Sequence, residues 1–193
     1  MQLRRRRNPL VSWVEDQIAI PNNLPPDAMA DLAEGRARLI RLTRGMVAIV
    51  DSEDYGMIAQ YNWCAGGNPL YAMRVSRKSD GLTRRKTIMM HRVIAKTPSA
   101  LKTDHKNLLK WDNRKSNLRT CTQRQNQFNH AKSSRNTTGF KGVHFAKHES
   151  KFIAQMRING RKTHLGSFGT AIEAHQCYCE ASQKYHKEFS RVQ

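Results

Sequence analysis

Residues 104–126 read DHKNLLKWDNRKSNLRTCTQRQN, and the fold of the chain turns on them. An adjacent acid–imidazole pair, Asp104 and His105, opens the stretch. A polar, asparagine-rich excursion follows, and Asn126 stands 22 residues after the Asp. The pattern predicts a strand through Thr103, Asp104 and His105, a second strand at 118–122, and a helix from about Gln123. That is a ββα unit. Asp104 and His105 then leave the first strand and Asn126 sits in the first turns of the helix, so the three converge on one cleft. Their chemistry suits phosphodiester cleavage, which needs a base to activate water and a divalent cation to neutralise charge building on phosphate. His105 supplies a nitrogen that titrates near neutral pH, while Asp104 and Asn126 supply the hard oxygens that Mg²⁺ or Mn²⁺ prefers. The same residues also admit a plainer reading, a basic surface loop whose asparagines only make turns.

Charge points outward from this stretch to a polyanion. The 193 residues carry a formal net charge of +19, and an excess of that size implies an anionic polymer, most simply nucleic acid. Its placement matters more than its total. Residues 1–73 hold 8 Lys/Arg against 8 Asp/Glu, residues 74–119 hold 14 against 3, and residues 120–193 hold 12 against 4. The excess therefore lies on the 104–126 stretch, its immediate approach and everything after it. A membrane-surface role would call for a long apolar or strongly amphipathic segment, and no apolar run approaches the ~18 residues of a spanning helix. Arg4–Arg7 are not followed by the apolar run of a secretory signal. The four cysteines (64, 121, 177 and 179) include no C-x-x-C pair, so the expectation is reduced thiols, no structural zinc and a cytoplasmic setting.

The chain before residue 100 divides by composition. Residues 1–37 read as a basic, proline-containing arm, with a short helix expected from Asp27, as N-cap, to about Leu42. From Arg41 to about His91, MVAIVD, GMIAQYNWCAGG and LYAMRVSR predict short strands. Ser79-Asp80-Gly81 is a hairpin turn, and a helix follows near His91. Tyr61, Trp63 and Tyr71 are expected in the core.

Beyond the central stretch, SSRNTTG (133–139) reads as a linker, placed at 133–138. A second compact pattern follows: FKGVHF, KFIAQMRI, Asn159-Gly160, RKTHLGSF and a helix from Thr170 to about Lys187. Asn-Gly between two alternating runs predicts a tight hairpin, and pairing Ile158 with Arg161 sets its register. Phe152, Ala154, Met156, Thr163 and Leu165 then share the face that meets the helix, through Ala171, Ala174, Cys177, Tyr178, Ala181 and Tyr185. Gln155, Arg157, Lys162 and His164 share the other face, which is left basic and open.

With these motifs in place, residues 41–129 resemble the HNH homing endonucleases of phages and introns, through MHRVIA, DH and WDNRKSNLRTCTQRQNQFN. The resemblance implies an α+β fold with a ββα-metal unit (38–132), His105 as general base and Asp104 with Asn126 as ligands of Mg²⁺ or Mn²⁺. It implies that Asn117 ties the hairpin and supports catalysis, that Asn113 braces the loop, that Arg114 and Arg119 contact nucleic acid, and that His91 is structural. Residues 138–193 resemble the plant ethylene-response-factor (APETALA-type) DNA-binding domain, placed at 139–193. That likeness implies a three-stranded sheet packed on one helix that reads duplex DNA through His144, Gln155, Arg157, Lys162 and His164. Leu108-Leu109 departs from the family, which often carries Gly or Asp there, and Leu lacks glycine's freedom at positive φ. The reading is a metal-dependent DNA endonuclease with a C-terminal targeting module. The alternative stays open: a non-catalytic nucleic-acid-binding protein of the same fold, either a DNA regulator or a basic component of an RNA–protein assembly.

Overall fold

The computed structural model describes residues 24–191; the Arg4–Arg7 cluster lies outside them. The protein is α+β, with small antiparallel sheets and five α-helices among the described residues. The described residues divide into two compact units, 24–99 with Leu109–Thr120, and Ala100–Leu108 with 121–191. The division therefore falls inside the central stretch, not at the polar segment 133–138.

In the first unit, helix α1 (Pro26–Ala33) leads into an antiparallel ribbon of β1 (Ala37–Arg41) and β2 (Val47–Asp51). The helix expected from Asp27 to Leu42 is thus shorter, with Pro25 as its N-cap. Gly35 takes φ +72° just past the last turn, a conformation glycine adopts without a Cβ penalty and that stops a helix. Ala37 and Ile40 are then buried in a strand. Strand β2 is apolar on both faces for a reason. Ala48 and Val50 point into the main core with Ile40, Ile58, Trp63, Ala72, Met90 and Leu118. Ile49 points the other way, to Ala28 of α1, Ala37 and Trp111, as period-two alternation requires. The excursion is bonded to this strand: Ile49 N–H donates to the Trp111 carbonyl at 2.8 Å and Asn113 N–H to the Ile49 carbonyl at 2.8 Å.

Residues 52–58, expected as strand, form helix α2 (Ser52–Ile58), whose first turn carries Glu53 and Asp54 against the positive end of the peptide dipoles. Strands β3 (Cys64–Gly66), β4 (Tyr71–Val75) and β5 (Thr87–Met89) form the next sheet in that order, and helix α3 (Met90–Ile94) follows. Trp63 is buried in this core and donates its indole N–H to the Ile58 carbonyl at 2.9 Å.

Strand β6 (Lys102–His105), strand β7 (Leu118–Cys121) and helix α4 (Gln123–Phe128) follow in the expected chain order. Helix α4 has only six residues but a full capping box, with the Thr122 hydroxyl accepting from Gln125 N–H and the Gln125 amide oxygen accepting from Thr122 N–H, two orphan donors satisfied at once.

The rest of the second unit is a sheet in the order β10-β9-β8, formed by β8 (Val143–Ala146), β9 (Lys151–Ile158) and β10 (Arg161–Phe168), with α5 (Ala171–His186) packed on it. Ile158 pairs with Arg161 across Asn159 (φ +50°) and Gly160 (φ +85°), the two positive-φ residues of a type I′ turn. A bulge between His164 and Gly166 sets Gly166, not Leu165, opposite Ala154. Val143, Ala154 and Met156 meet Ala174 and Tyr178 in the core. The buried stripe of α5 runs Ala174, Tyr178, Ser182, His186, so Tyr185, expected on it, is exposed instead. Gly142 is required on two counts: its φ is +77°, and a Cβ there would lie 2.1 Å from the Tyr178 ring.

The segment 133–138 is not a free tether. Asn136 donates its amide to the Phe140 and Val143 carbonyls and accepts from Gly139 N–H, and Thr138 hydroxyl donates to the Val143 carbonyl. Short polar side chains that bond nearby backbone order a segment whose composition reads as loose. Among the described residues no helix is long and apolar enough to cross a membrane.

Candidate functional site

Asp104 and His105 end strand β6, and both are buried, His105 completely. Helix α4 packs against that strand. The residue it hydrogen-bonds to the acid is Asn129, at the helix C-cap, which the sequence reading did not single out. The Asn129 amide nitrogen lies 3.1 and 3.0 Å from the two carboxylate oxygens of Asp104, 2.9 Å from the His105 carbonyl and 3.4 Å from the Lys106 carbonyl. Two amide hydrogens are shared among four oxygen acceptors, which fixes the orientation of the carboxylate. Asn126 lies one turn earlier and is half-buried; residues three apart share a helix face. The signal for Asn129 was present in the sequence, since Q-N-Q-F-N repeats asparagine at the spacing that keeps both on one side.

In kind, these groups fit a hard divalent cation. One buried carboxylate, two asparagine amides and two backbone carbonyls are all oxygen donors of the class Mg²⁺ and Mn²⁺ take.

The turn after the pair keeps left-handed geometry despite its side chain. Leu108 has φ +67°, and its N–H donates to the His105 carbonyl at 3.0 Å. Leucine there costs roughly 1–2 kcal/mol relative to glycine, so the tight turn is held by its surroundings and not by local preference.

Further along the excursion, in the first unit, Asn117 is buried and donates its amide to the Asp112 carbonyl at 2.8 Å. Asn113 bonds the Trp111 carbonyl. Both are braces. Arg114 corrects an expectation. It is one of the most buried side chains in the protein, bidentate to Asp112 at 2.9 Å on each bond, and it also reaches Asp31 at 2.6 Å and Asp27 at 2.9 Å. Hydrogen bonding to Asp112 first, and to Asp31, raises its pKa against the opposing effect of burial. Its charge is spent inside the unit, so it does not face nucleic acid. Two of the carboxylates it binds, Asp31 and Asp27, lie more than 80 residues away in α1, a partnership no local pattern reveals. Arg119 is half-buried, and His91 is buried beside the Tyr71 ring.

The same unit holds a carboxylate cluster, Asp51, Glu53 and Asp54, whose oxygens lie within 4.8 Å of one another. Lys115 occupies it. Its ammonium is 2.5 Å from Glu53 and 3.2 Å from Asp54, and its N–H donates to Asp51 at 2.7 Å. Glu53 is held below its usual pKa by that ammonium, and Lys115 is raised by Glu53 first, then Asp54. The cluster is a lysine socket.

In the second unit the sheet brings the expected reader residues together. Lys162 is directly opposite Arg157, His164 opposite Gln155, and His144 opposite Ile153. Pairing and alternation put all five polar side chains on the face away from α5. Opposed cations on a sheet destabilise it, and here Arg157 also donates to the Gly160 carbonyl at 3.1 Å. The bulge adds Ser167 beside His164, at 3.5 Å.

The same unit grips α4 from its far end. Lys141 donates to the Phe128 carbonyl at 2.6 Å and the His130 carbonyl at 2.7 Å, a cation on the negative end of the helix. Burial, then nearby Arg191, lowers its pKa to about 8. Phe128 stacks on His186 with ring centroids 3.6 Å apart, and His186 contacts the Arg157 carbonyl at 3.4 Å.

No family model, curated protein or solved structure matches the chain.

Proposed function

We propose that this chain is a metal-dependent DNA endonuclease whose site preference comes from the β8–β10 sheet. The observation that carries the reading is the Asn129 amide on both oxygens of Asp104. It aims the carboxylate beside His105 from the very helix that also bears Asn126. In this reading His105 takes a proton from water as its oxygen attacks phosphorus, and the 3′ oxygen departs with the bonding pair. Asp104 and Asn126 hold the cation, Asn129 orients Asp104, and Asn117 braces the excursion. When bound, Mg²⁺ or Mn²⁺ supplies positive charge to the phosphate and the leaving oxygen. His144, Gln155, Arg157, Lys162 and His164 engage duplex DNA.

The test is plasmid cleavage with Mg²⁺ or EDTA, wild type beside His105→Ala. The variant should cut ~10²–10⁴-fold more slowly with DNA affinity nearly unchanged, because a general base acts in the transition state. Cleavage within about threefold of wild type removes His105 from the role.

One observation favours a second reading. His105 is completely buried and Asp104 nearly so, and substrate must uncover them before either can act. A non-catalytic protein that binds DNA, or RNA in an assembly, has no such requirement. Tighter binding to structured RNA than to duplex DNA at matched salt, with no cleavage of either, selects that reading.

A further inference from the structure

Between Tyr55 and Thr103 the chain contains one carboxylate, Asp80, while residues 74–86 contain six Lys/Arg. The structure removes that carboxylate from play. Both oxygens of Asp80 bind the buried guanidinium of Arg74, at 2.7 and 2.8 Å, and one also accepts the Arg77 N–H at 2.5 Å. Hydrogen bonding to Arg74 first, then to the Arg77 backbone, lowers the Asp80 pKa to about 2, so it stays ionised and internally neutralised under any physiological condition. The five remaining cations, Arg77, Lys78, Arg84, Arg85 and Lys86, are all exposed. Among the described residues none of the five pairs with a carboxylate.

These charges stand on an ordered platform. The hairpin continues past β4 and β5, with Ser76 N–H donating to the Lys86 carbonyl at 2.8 Å and Lys86 N–H to the Ser76 hydroxyl at 2.9 Å. A tight turn over Lys78–Asp80 closes it, with Gly81 at φ +68°. The Tyr61 ring carries Arg74 at 3.8 Å and Arg77 at 5.1 Å from its centroid. Five like charges on one hairpin end repel one another, and its single carboxylate, Asp80, is already bonded through both oxygens to Arg74. A polyanion would relieve that repulsion, with little ordering cost, because the platform is already formed.

We propose that the tip of the β4–β5 hairpin, residues 77–86, is a sequence-independent grip on the phosphate backbone of duplex DNA, separate from the β8–β10 sheet. The inference rests on the nucleic-acid reading above. Its composition suits phosphate: besides the cations it offers only the hydroxyls of Ser79 and Thr83, with no Asn or Gln for the bidentate contact to adenine. Its apolar exposure is confined to Val75 and Leu82, single side chains without the aromatic or leucine stripe of a membrane-inserting surface.

The experiment measures binding of the full chain to a mixed-sequence duplex over a salt series, for wild type, R77Q/K78Q/R84Q/R85Q and the sheet variant R157Q/K162Q. R84Q/R85Q is the fallback should four changes disturb folding, which circular dichroism reports. Each lost phosphate contact flattens the log–log salt slope by about 0.9. If all four cations contact phosphate, the quadruple variant should lose about 3.6 units of slope, and R84Q/R85Q about 1.8. Affinity should fall alike for every duplex sequence, whereas the sheet variant should change preference among sequences. A wild type that binds while the hairpin variants keep its slope overturns the hairpin and leaves the sheet standing. A wild type that does not bind duplex overturns the nucleic-acid reading itself. Stronger binding to phosphatidylserine vesicles than to duplex at matched salt, lost in the hairpin variants, overturns the proposal in favour of a membrane contact.

Discussion

At the scale of single residues, the excursion shows how far a side chain's role depends on what surrounds it. Arg114 and Lys115 are adjacent cations in a basic stretch, yet one is sealed under Asp112, Asp31 and Asp27 and the other fills the Asp51–Glu53–Asp54 socket. Breaking a buried pair from one side leaves an uncompensated charge. Arg114→Ala should therefore destabilise the protein by about 3 kcal/mol or more in urea denaturation, with Asp112 left buried. Arg114→Met combined with Asp112→Asn should recover most of the loss, since both charges are then gone. A loss below about 0.5 kcal/mol for Arg114→Ala would put the guanidinium back on the surface. Asp80 carries the pH counterpart. Its folded pKa of about 2 lies below its usual 3.8, so the folded state binds fewer protons and the stabilisation is present above about pH 4. It is lost as pH falls from there towards 2, and Asp80→Asn should remove that part of the acid transition measured by circular dichroism.

The element that decides the candidate site is α4. A six-residue helix is marginal by itself, and here both ends are secured, by Thr122–Gln125 at the start and Lys141 at the finish. Lys141 makes this anchoring measurable. Folded, it releases its proton near pH 8, whereas in the unfolded chain it holds it until about 10.5. Between those values the unfolded state binds more protons, so stability should rise with pH across that window. Lys141→Met should abolish the rise, because no titrating amine is left at the helix end. Denaturant midpoints at several pH values across the window check both; an unchanged slope in the variant would assign the titration to another group.

For the whole molecule, the consequence lies in where the units divide. Residues 100–108 and α4 belong to the same unit as the C-terminal sheet, and in that unit the segment before β8 supplies Lys141 and the end of α5 supplies His186 to the helix. Removing residues 139–193 should therefore do more than erase site preference. Amide-exchange protection over 123–129 should collapse, and cleavage of every duplex should disappear with it. A truncated chain that still cuts, but without preference, would show that the catalytic unit stands alone.

Much of this was legible along the chain because its cause is local. The Asn159-Gly160 turn, the Ile158–Arg161 register and the alternation that sorts Arg157 from Met156 follow from backbone geometry within a few residues. The same holds for the chain order of β6, β7 and α4. What the sequence could not decide was set by contacts between distant segments. Asn129 meets Asp104 because the packing of α4 against β6 brings the end of the helix to the carboxylate. Arg114 turned inward because α1 brings two carboxylates from more than 80 residues away. Leu108 holds φ +67° although its own preference opposes it. For Asn129 and Arg114 the deciding contacts come from segments distant in sequence, and they exist only once the chain has closed on itself.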